Sequence, residues 1–229
     1  MKKLVAWLGG ALFVGSLASL AWWYFWWLGR HVAGEGLRAF PADAVLLTMF
    51  AGHHSVFARE SVKQRLTFIP RTMLPSAYVW VASLLLMAVL VFWVPIGGDI
   101  YHVDGLAAVP FVLAQLAGLW LTARAVGGLD PLELAGIRQV IGWRGRSRAQ
   151  NLQVTGPYQL VRHPIYFGWV LMFFGVAHLT VDRLVFAAMT TAYLMVAVPW
   201  EERSLRQSFG DDYARYAARV RWRIVPYLY

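Results

Sequence analysis

The sequence predicts an all-α integral membrane protein with about six transmembrane helices and a C-terminal interfacial helix. Three observations predict it: composition, apolar runs of crossing length, and a regular alternation of basic segments. Of 229 residues, 59% are hydrophobic and 14% charged, whereas an ordinary soluble domain carries roughly 25% charged residues. So few charges cannot clothe the surface of a globule this size. The same composition excludes disorder, collagen and coiled coil. With no Cys, disulfides, thiolate catalysis and Cys-ligated metal are excluded too. A net charge of +9 could point to nucleic acid, but in so apolar a chain basic residues mark the cytoplasmic side of a membrane. No nucleic-acid partner is expected.

A crossing helix needs about 20 apolar residues. The runs, in order, are Leu4 to Leu28, Phe40 to Phe57, Ala77 to Val94, Leu106 to Val126, Ile165 to Val181 and Leu184 to Trp200. The first follows Met1-Lys2-Lys3 and could be mistaken for a signal peptide. Its length of 25 residues exceeds the about 7–15 of a signal h-region, so it reads as a retained anchor. Trp22 to Trp27 suit the outer headgroup belt. The last two runs, parted only by Asp182 and Arg183, read as a tight helical hairpin over 165–200.

Basic residues check the count. With the N-terminus cytoplasmic, 18 of the 21 Lys and Arg fall on the cytoplasmic side, leaving Arg30, Arg38 and Arg183 outside. This is the positive-inside bias. The expected location is the inner (cytoplasmic) membrane, multi-pass, with both termini cytoplasmic. Residues 1–127 form an N-terminal four-helix region and 128–229 a second region ending in a cytoplasmic tail. In the tail, Leu205, Phe209, Tyr213, Tyr216 and Val220 fall near one stripe, with Arg203, Arg206, Arg215 and Arg219 elsewhere. That pattern suits a helix lying on anionic lipid. Gly210 is a point of bending. Asp99, His102 and Asp104 imitate metal ligands but read as a solvated outer loop, and no metal site is expected.

Any sizeable polar site must then be built on the cytoplasmic face, and three segments could build it. Gly156 to Gly168 carries Arg162 and His163 just before Pro164, which fits a first helical turn. Backbone amides and a positive helix end there suit a carboxylate or phosphate; a snorkelling Arg and a capping His are the alternative. Glu201-Glu202 closes the sixth run. Adjacent carboxylates beside an apolar helix must be paired or bind a cation, and the hairpin returns them to the depth of Arg162 and His163. His53-His54 lie inside the second run, where an ionisable residue is either functional or an interhelical hydrogen-bond partner. Adjacent helix positions differ by about 100°, which aims at most one of them into a given site.

Arg162-His163-Pro164-Ile165-Tyr166, a hydrophobic hairpin, and Glu201-Glu202 together resemble the signature of the isoprenylcysteine carboxyl methyltransferase superfamily. The similarity continues through Phe209-Gly210, Tyr213, Tyr216 and Ile224-Val225-Pro226, covering Asn151 to Pro226. His54-Ser55 followed by Ala58-Arg59, Tyr78-Val79, Pro95-Ile96-Gly97-Gly98, Gly136 to Val140, Asp182-Arg183-Leu184 and Thr191-Ala192-Tyr193 are similar to the bacterial methanethiol S-methyltransferase family. Trp200, directly before the Glu pair, departs from the pattern.

The resemblance implies a membrane methyltransferase using S-adenosyl-L-methionine at a cytoplasmic site. Its acceptor would be a small thiol, as in methanethiol to dimethyl sulfide. Two alternatives stay open: a lipid-like or isoprenylcysteine-type acceptor, and a non-enzymatic membrane partner of a nitrite-reduction redox system. The motif places Gly156, Tyr158, Val161, Arg162, His163, Pro164, Tyr166, Gly168, Glu201, Glu202, Tyr213 and Tyr216 at the cofactor. Arg162 could fork onto its carboxylate, Glu201 or Glu202 could take its ammonium or hold His163, and the tyrosines offer faces to adenine or sulfonium. On the acceptor side stand His54, His53 and Arg59, with Arg138 adding positive field. Membrane lipids are expected around the chain, and no obligatory protein partner is evident.

Overall fold

A computed structural model describes residues 1–57, 59–63, 65–127, 130–142 and 152–229. Ala58, Asn151 and the arginines Arg144, Arg146 and Arg148, all used in the sequence reading, lie outside the described residues. Among the described residues, six longer helices appear: α1 (Lys2–Trp22), α2 (Phe40–Phe57), α3 (Leu74–Phe92), α4 (Val109–Val126), α5 (Pro164–Phe174) and α6 (Val181–Arg219). Two strands, β1 (Asp99–His102) and β2 (His178–Thr180), pair antiparallel with Tyr101 opposite Leu179 and His102 opposite His178. This short pair is a minor addition to a mostly helical chain, and Asp99, His102 and Asp104 remain exposed, as expected of a solvated loop. His178 Nε2 lies 2.8 Å from Asp99 Oδ1, and the His102 and His178 rings stack at 4.3 Å.

Among the described residues, four helices are long and apolar enough to cross a membrane: Lys2–Trp27, Leu74–Phe92, Gly105–Val126 and Val181–Arg219. The protein is therefore mainly helical and multi-pass. Helix α2 covers the whole second run, but Asp43, His53 and His54 dilute its apolar character. The fifth run is not one helix. Its α5 has 11 residues, only about 16 Å at 1.5 Å per residue, before Gly175 releases the chain toward β2.

The chain groups into two compact units, Met1–Gly98 with Asp130–Ser147, and Asp99–Leu129 with Arg148–Tyr229. Helix α4 groups with the C-terminal residues.

In the first unit, α3 packs against α1 and α2. Gly9 lets Trp80 approach, since a Cβ there would meet the indole at 2.6 Å, and Trp80 Nε1 donates to Val5 O at 3.0 Å. Fully buried Asp43 accepts from Val94 N at 2.9 Å, just past the end of α3. The short helices Pro131–Leu134 and Arg138–Ile141 close on α1 through Ala6, Ala135 and Ile137.

In the second unit, α4 and α5 are joined by small residues. A Cβ on Gly168 would meet Gly118 O at 2.6 Å, and one on Gly175 would meet Ala114 at 2.9 Å. Seven residues forward on α5 is four back on α4, so the two helices run antiparallel. Strand β1 precedes α4 and β2 follows α5, so their pairing shows that the chain has returned to the end where α4 began. Helix α6 then starts at Thr180, whose hydroxyl accepts from Arg183 N at 3.2 Å as an N-cap. It runs to Arg219 with an interior Pro199 and a break at Gly210 (φ 50°, ψ −123°), a backbone region that favours glycine.

Candidate active site

The second unit brings Arg162, His163, Tyr166, Glu201 and Glu202 together. Backbone pairing sets the first two, Arg162 N donating to Trp222 O at 2.9 Å and His163 N to Arg223 O at 2.8 Å. Gly156 (φ 63°) turns the chain into a short 3-10 helix, Gly156–Gln159. Pro164, buried, opens α5 in its first turn. His163 occupies the N-cap position, yet its side chain makes no cap hydrogen bond. It turns instead to the acidic pair: Nδ1 is 3.3 Å from Glu201 Oε2 and Nε2 is 3.5 Å from Glu202 Oε1.

The two glutamates stand in different environments. The Glu202 side chain is 5% exposed and accepts from Arg162 Nε at 2.7 Å, with Arg223 Nε 3.4 Å from its other oxygen. The Glu201 side chain is 43% exposed and accepts the Tyr166 hydroxyl hydrogen bond. Tyr166 stacks on His163 with ring centroids 5.4 Å apart and planes 5° apart. Burial pulls the His163 imidazole down, but hydrogen bonds to Glu201 and Glu202 and their charges outweigh it, and its pKa is raised above the ordinary value. Burial first, and then the Glu201 charge, push the Tyr158 phenol up.

Arg162 is engaged within its own unit. Its Nε serves Glu202, and its Nη1 donates to Ala217 O at 3.3 Å and Val220 O at 3.0 Å. Those carbonyls belong to the last turn of α6, where helical donors run out. The guanidinium thus links Glu202 to the end of α6. Tyr216 donates to Tyr158 O at 2.8 Å and lies edge-on to Tyr213, centroids 6.0 Å apart. Both tyrosines are buried, so the tail packs onto residues 158–163 of its own unit. The buried Tyr213 hydroxyl makes no hydrogen bond among the described residues. Val161 is wholly in the core, and Gly168 serves the α4–α5 contact.

In the first unit, both α2 histidines touch one residue, Tyr78 of α3. The Tyr78 hydroxyl is 2.7 Å from His54 Nδ1, and the Tyr78 ring stacks on His53 at 5.4 Å. A single aromatic ring is wide enough to meet both despite the offset of about 100°. His53 also stacks on Phe57 at 4.9 Å. Arg59 lies exposed just beyond α2. Arg138 is buried and paired with Asp130, with Glu133 Oε2 at 3.9 Å, which neutralises the field expected of it.

A family model described as phospholipid methyltransferase matches residues 140–212, from before α5 to beyond Glu202. A methanethiol S-methyltransferase of Crocosphaera subtropica is 37% identical over 196 residues, 84% of this chain and 76% of that protein. The chain belongs to the methanethiol S-methyltransferase family. Another member of this family, from Mycobacterium tuberculosis, is 34% identical over 187 residues, 80% of this chain and 77% of its own. A protein-S-isoprenylcysteine O-methyltransferase of Arabidopsis thaliana matches only 78 residues at 32% identity, 33% of this chain and 40% of that one. No solved structure matches the chain. Membership of this membrane methyltransferase family makes the chain an enzyme and replaces the reading of a non-enzymatic redox partner. Sequence reasoning missed two residues at these clusters, Tyr78 and Arg223. Both lay in or beside quoted motifs.

Proposed function

We propose that this enzyme transfers a methyl group from S-adenosyl-L-methionine to a small thiol of methanethiol size. The observation that carries the reading is its relation to methanethiol S-methyltransferases across 84% of the chain. The donor chemistry fits the second unit: in a cluster where Arg162, Arg223 and His163 neutralise Glu202, the Glu201 carboxylate stays 43% exposed. When bound, S-adenosyl-L-methionine supplies an activated methyl group on a positively charged sulfur. Glu201 offers its charge to the ammonium or sulfonium, His163 and Tyr166 hold that carboxylate, and Tyr158, Tyr213 and Tyr216 supply aromatic walls. Arg162, Glu202 and Pro164 keep those groups in place, with Gly156, Val161 and Gly168 shaping the backbone behind them.

A thiol with a pKa near 8.5 or above is at most a few per cent thiolate at pH 7. His54 is the group to take its proton, His53 is the second candidate, and Arg59 favours the anion. If Tyr78 accepts the Nδ1 hydrogen of His54 and donates its own to His54 O, 3.4 Å away, then Nε2 carries the basic lone pair.

The enzyme sits in the inner membrane in a six-run topology, with α5 and its extended continuation forming the fifth run. Both ends and the donor site face the cytoplasm, and exposed Arg203, Arg206, Arg215 and Arg219 of α6 meet anionic headgroups. Residues 1–127 serve the acceptor and 128–229 the donor. The test supplies detergent-purified enzyme with S-adenosyl-L-methionine and either methanethiol or long-chain thiols, and measures the methylated products. Dimethyl sulfide in the headspace supports the reading; methylation of long-chain thiols alone overturns it in favour of a lipid-like acceptor.

A further inference from the structure

Helix α6 has a proline in its interior. Pro199 has no N–H, so the carbonyl of Met195, one turn earlier, loses its helical donor. Tyr229 provides one, its hydroxyl donating to Met195 O at 3.3 Å. The same phenolic oxygen accepts from Arg223 Nη1 at 3.3 Å, and the guanidinium lies over the Tyr229 ring, 5.2 Å from its centroid. Arg223 in turn stands 3.4 Å from Glu202 Oε2 and receives the His163 amide on its carbonyl at 2.8 Å. Tyr229 is itself held, since its carbonyl accepts from Arg223 N at 2.8 Å and Ile224 N at 2.9 Å, and its amide donates to Val225 O at 3.1 Å. Pro199 comes two residues before Glu201 and three before Glu202. The gap in the helix and the residue that closes it are thus tied to the acidic pair by both backbone and charge.

We propose that Tyr229 is a positioning residue. Its hydroxyl replaces the helical hydrogen bond that Pro199 deletes and, through Arg223, sets where Glu201 and Glu202 stand for the methyl donor. The functional half of this proposal rests on reading the site as a donor site. Simple hydrophobic packing needs only the ring, which phenylalanine keeps; the proposed role needs the hydroxyl, which donates and accepts at once.

The test uses the full chain in detergent as wild type, Tyr229→Phe, Pro199→Ala and the double variant. One readout is amide hydrogen exchange over residues 196–203, the other the calorimetric affinity for S-adenosylhomocysteine. Tyr229→Phe should speed exchange in that segment and weaken binding by roughly 3–10-fold, the scale of one or two ordinary hydrogen bonds. In the Pro199→Ala background the restored N–H takes the Met195 carbonyl, so the same tyrosine substitution should speed exchange much less. Wild-type exchange in Tyr229→Phe, or an equal effect in both backgrounds, overturns the proposal. Absence of S-adenosylhomocysteine binding by the wild type overturns the donor-site reading instead, and the exchange data still decide whether Tyr229 closes the helix. Faster exchange with unchanged affinity refutes the link to the donor.

Discussion

Glu201 and Glu202 are neighbours with the same side chain, and Gln substitution should separate them. The Glu202 carboxylate is 5% exposed and holds Arg162, itself 10% exposed, through a 2.7 Å hydrogen bond. Glu202→Gln removes the charge and leaves the guanidinium buried without it, a loss of about 3–5 kcal/mol. For a chain of this length each kcal/mol shifts Tm by roughly 2–4 °C, so the variant should melt roughly 6–20 °C lower. Glu201→Gln alters a side chain that is 43% exposed, where an ion pair is worth about 0–1 kcal/mol. Its Tm should stay within about 4 °C of wild type while affinity for S-adenosylhomocysteine falls. The 12 Trp make intrinsic fluorescence the natural thermal probe, run at one fixed scan rate because unfolding from detergent can be irreversible. Equal Tm losses for the two variants would refute the division between a buried clamp and an exposed carboxylate.

The raised pKa of His163 means that its charged form gains stability on folding. That gain is fully present below the unfolded value of about 6.5 and fades as pH rises through the higher folded value. The Tm gap between wild type and His163→Gln should therefore be widest in mild acid and close in alkali; a gap that widens with pH contradicts this. His54→Ala should lower turnover by about 10²–10⁴-fold at pH 7 with donor affinity intact, and the loss should shrink at high pH, where the thiol ionises unaided. Wild-type rates in His54→Ala would make His53 the next candidate. Single Cys residues placed at 61, 145 and 208 should react with label only from the cytoplasmic side and one at 102 only from outside, a mapping simplified by the absence of native Cys. External labelling at 145 would overturn the orientation.

Which parts were legible in the sequence follows from the range over which each force acts. Hydrophobic runs are local, so Phe40–Phe57 and the starts of α3 and α4 could be read to within a few residues. The motif Arg162-His163-Pro164 and the pair Glu201-Glu202 announced themselves because charges beside apolar helices need partners, and the hairpin brings them into contact. The 11-residue length of α5 was not legible, because the largely apolar run continues past Gly175 to Val181. The sequence does not say that the strand before α4 captures the segment after α5. Nor could it assign the two glutamates, which are identical in type and differ only in what surrounds them. That Arg162 also serves the carbonyls of Ala217 and Val220 was not legible, because they lie more than 50 residues away. Tyr229 was invisible for the same reason: the carbonyl it meets is 34 residues distant, and only tertiary packing brings a phenol to the gap that a proline leaves. Composition and periodicity thus determined that the chain is a helical membrane protein and where its polar chemistry concentrates. Which of those polar groups are spent on one another, and which stay exposed for chemistry, was decided by long-range contacts that no local pattern encodes.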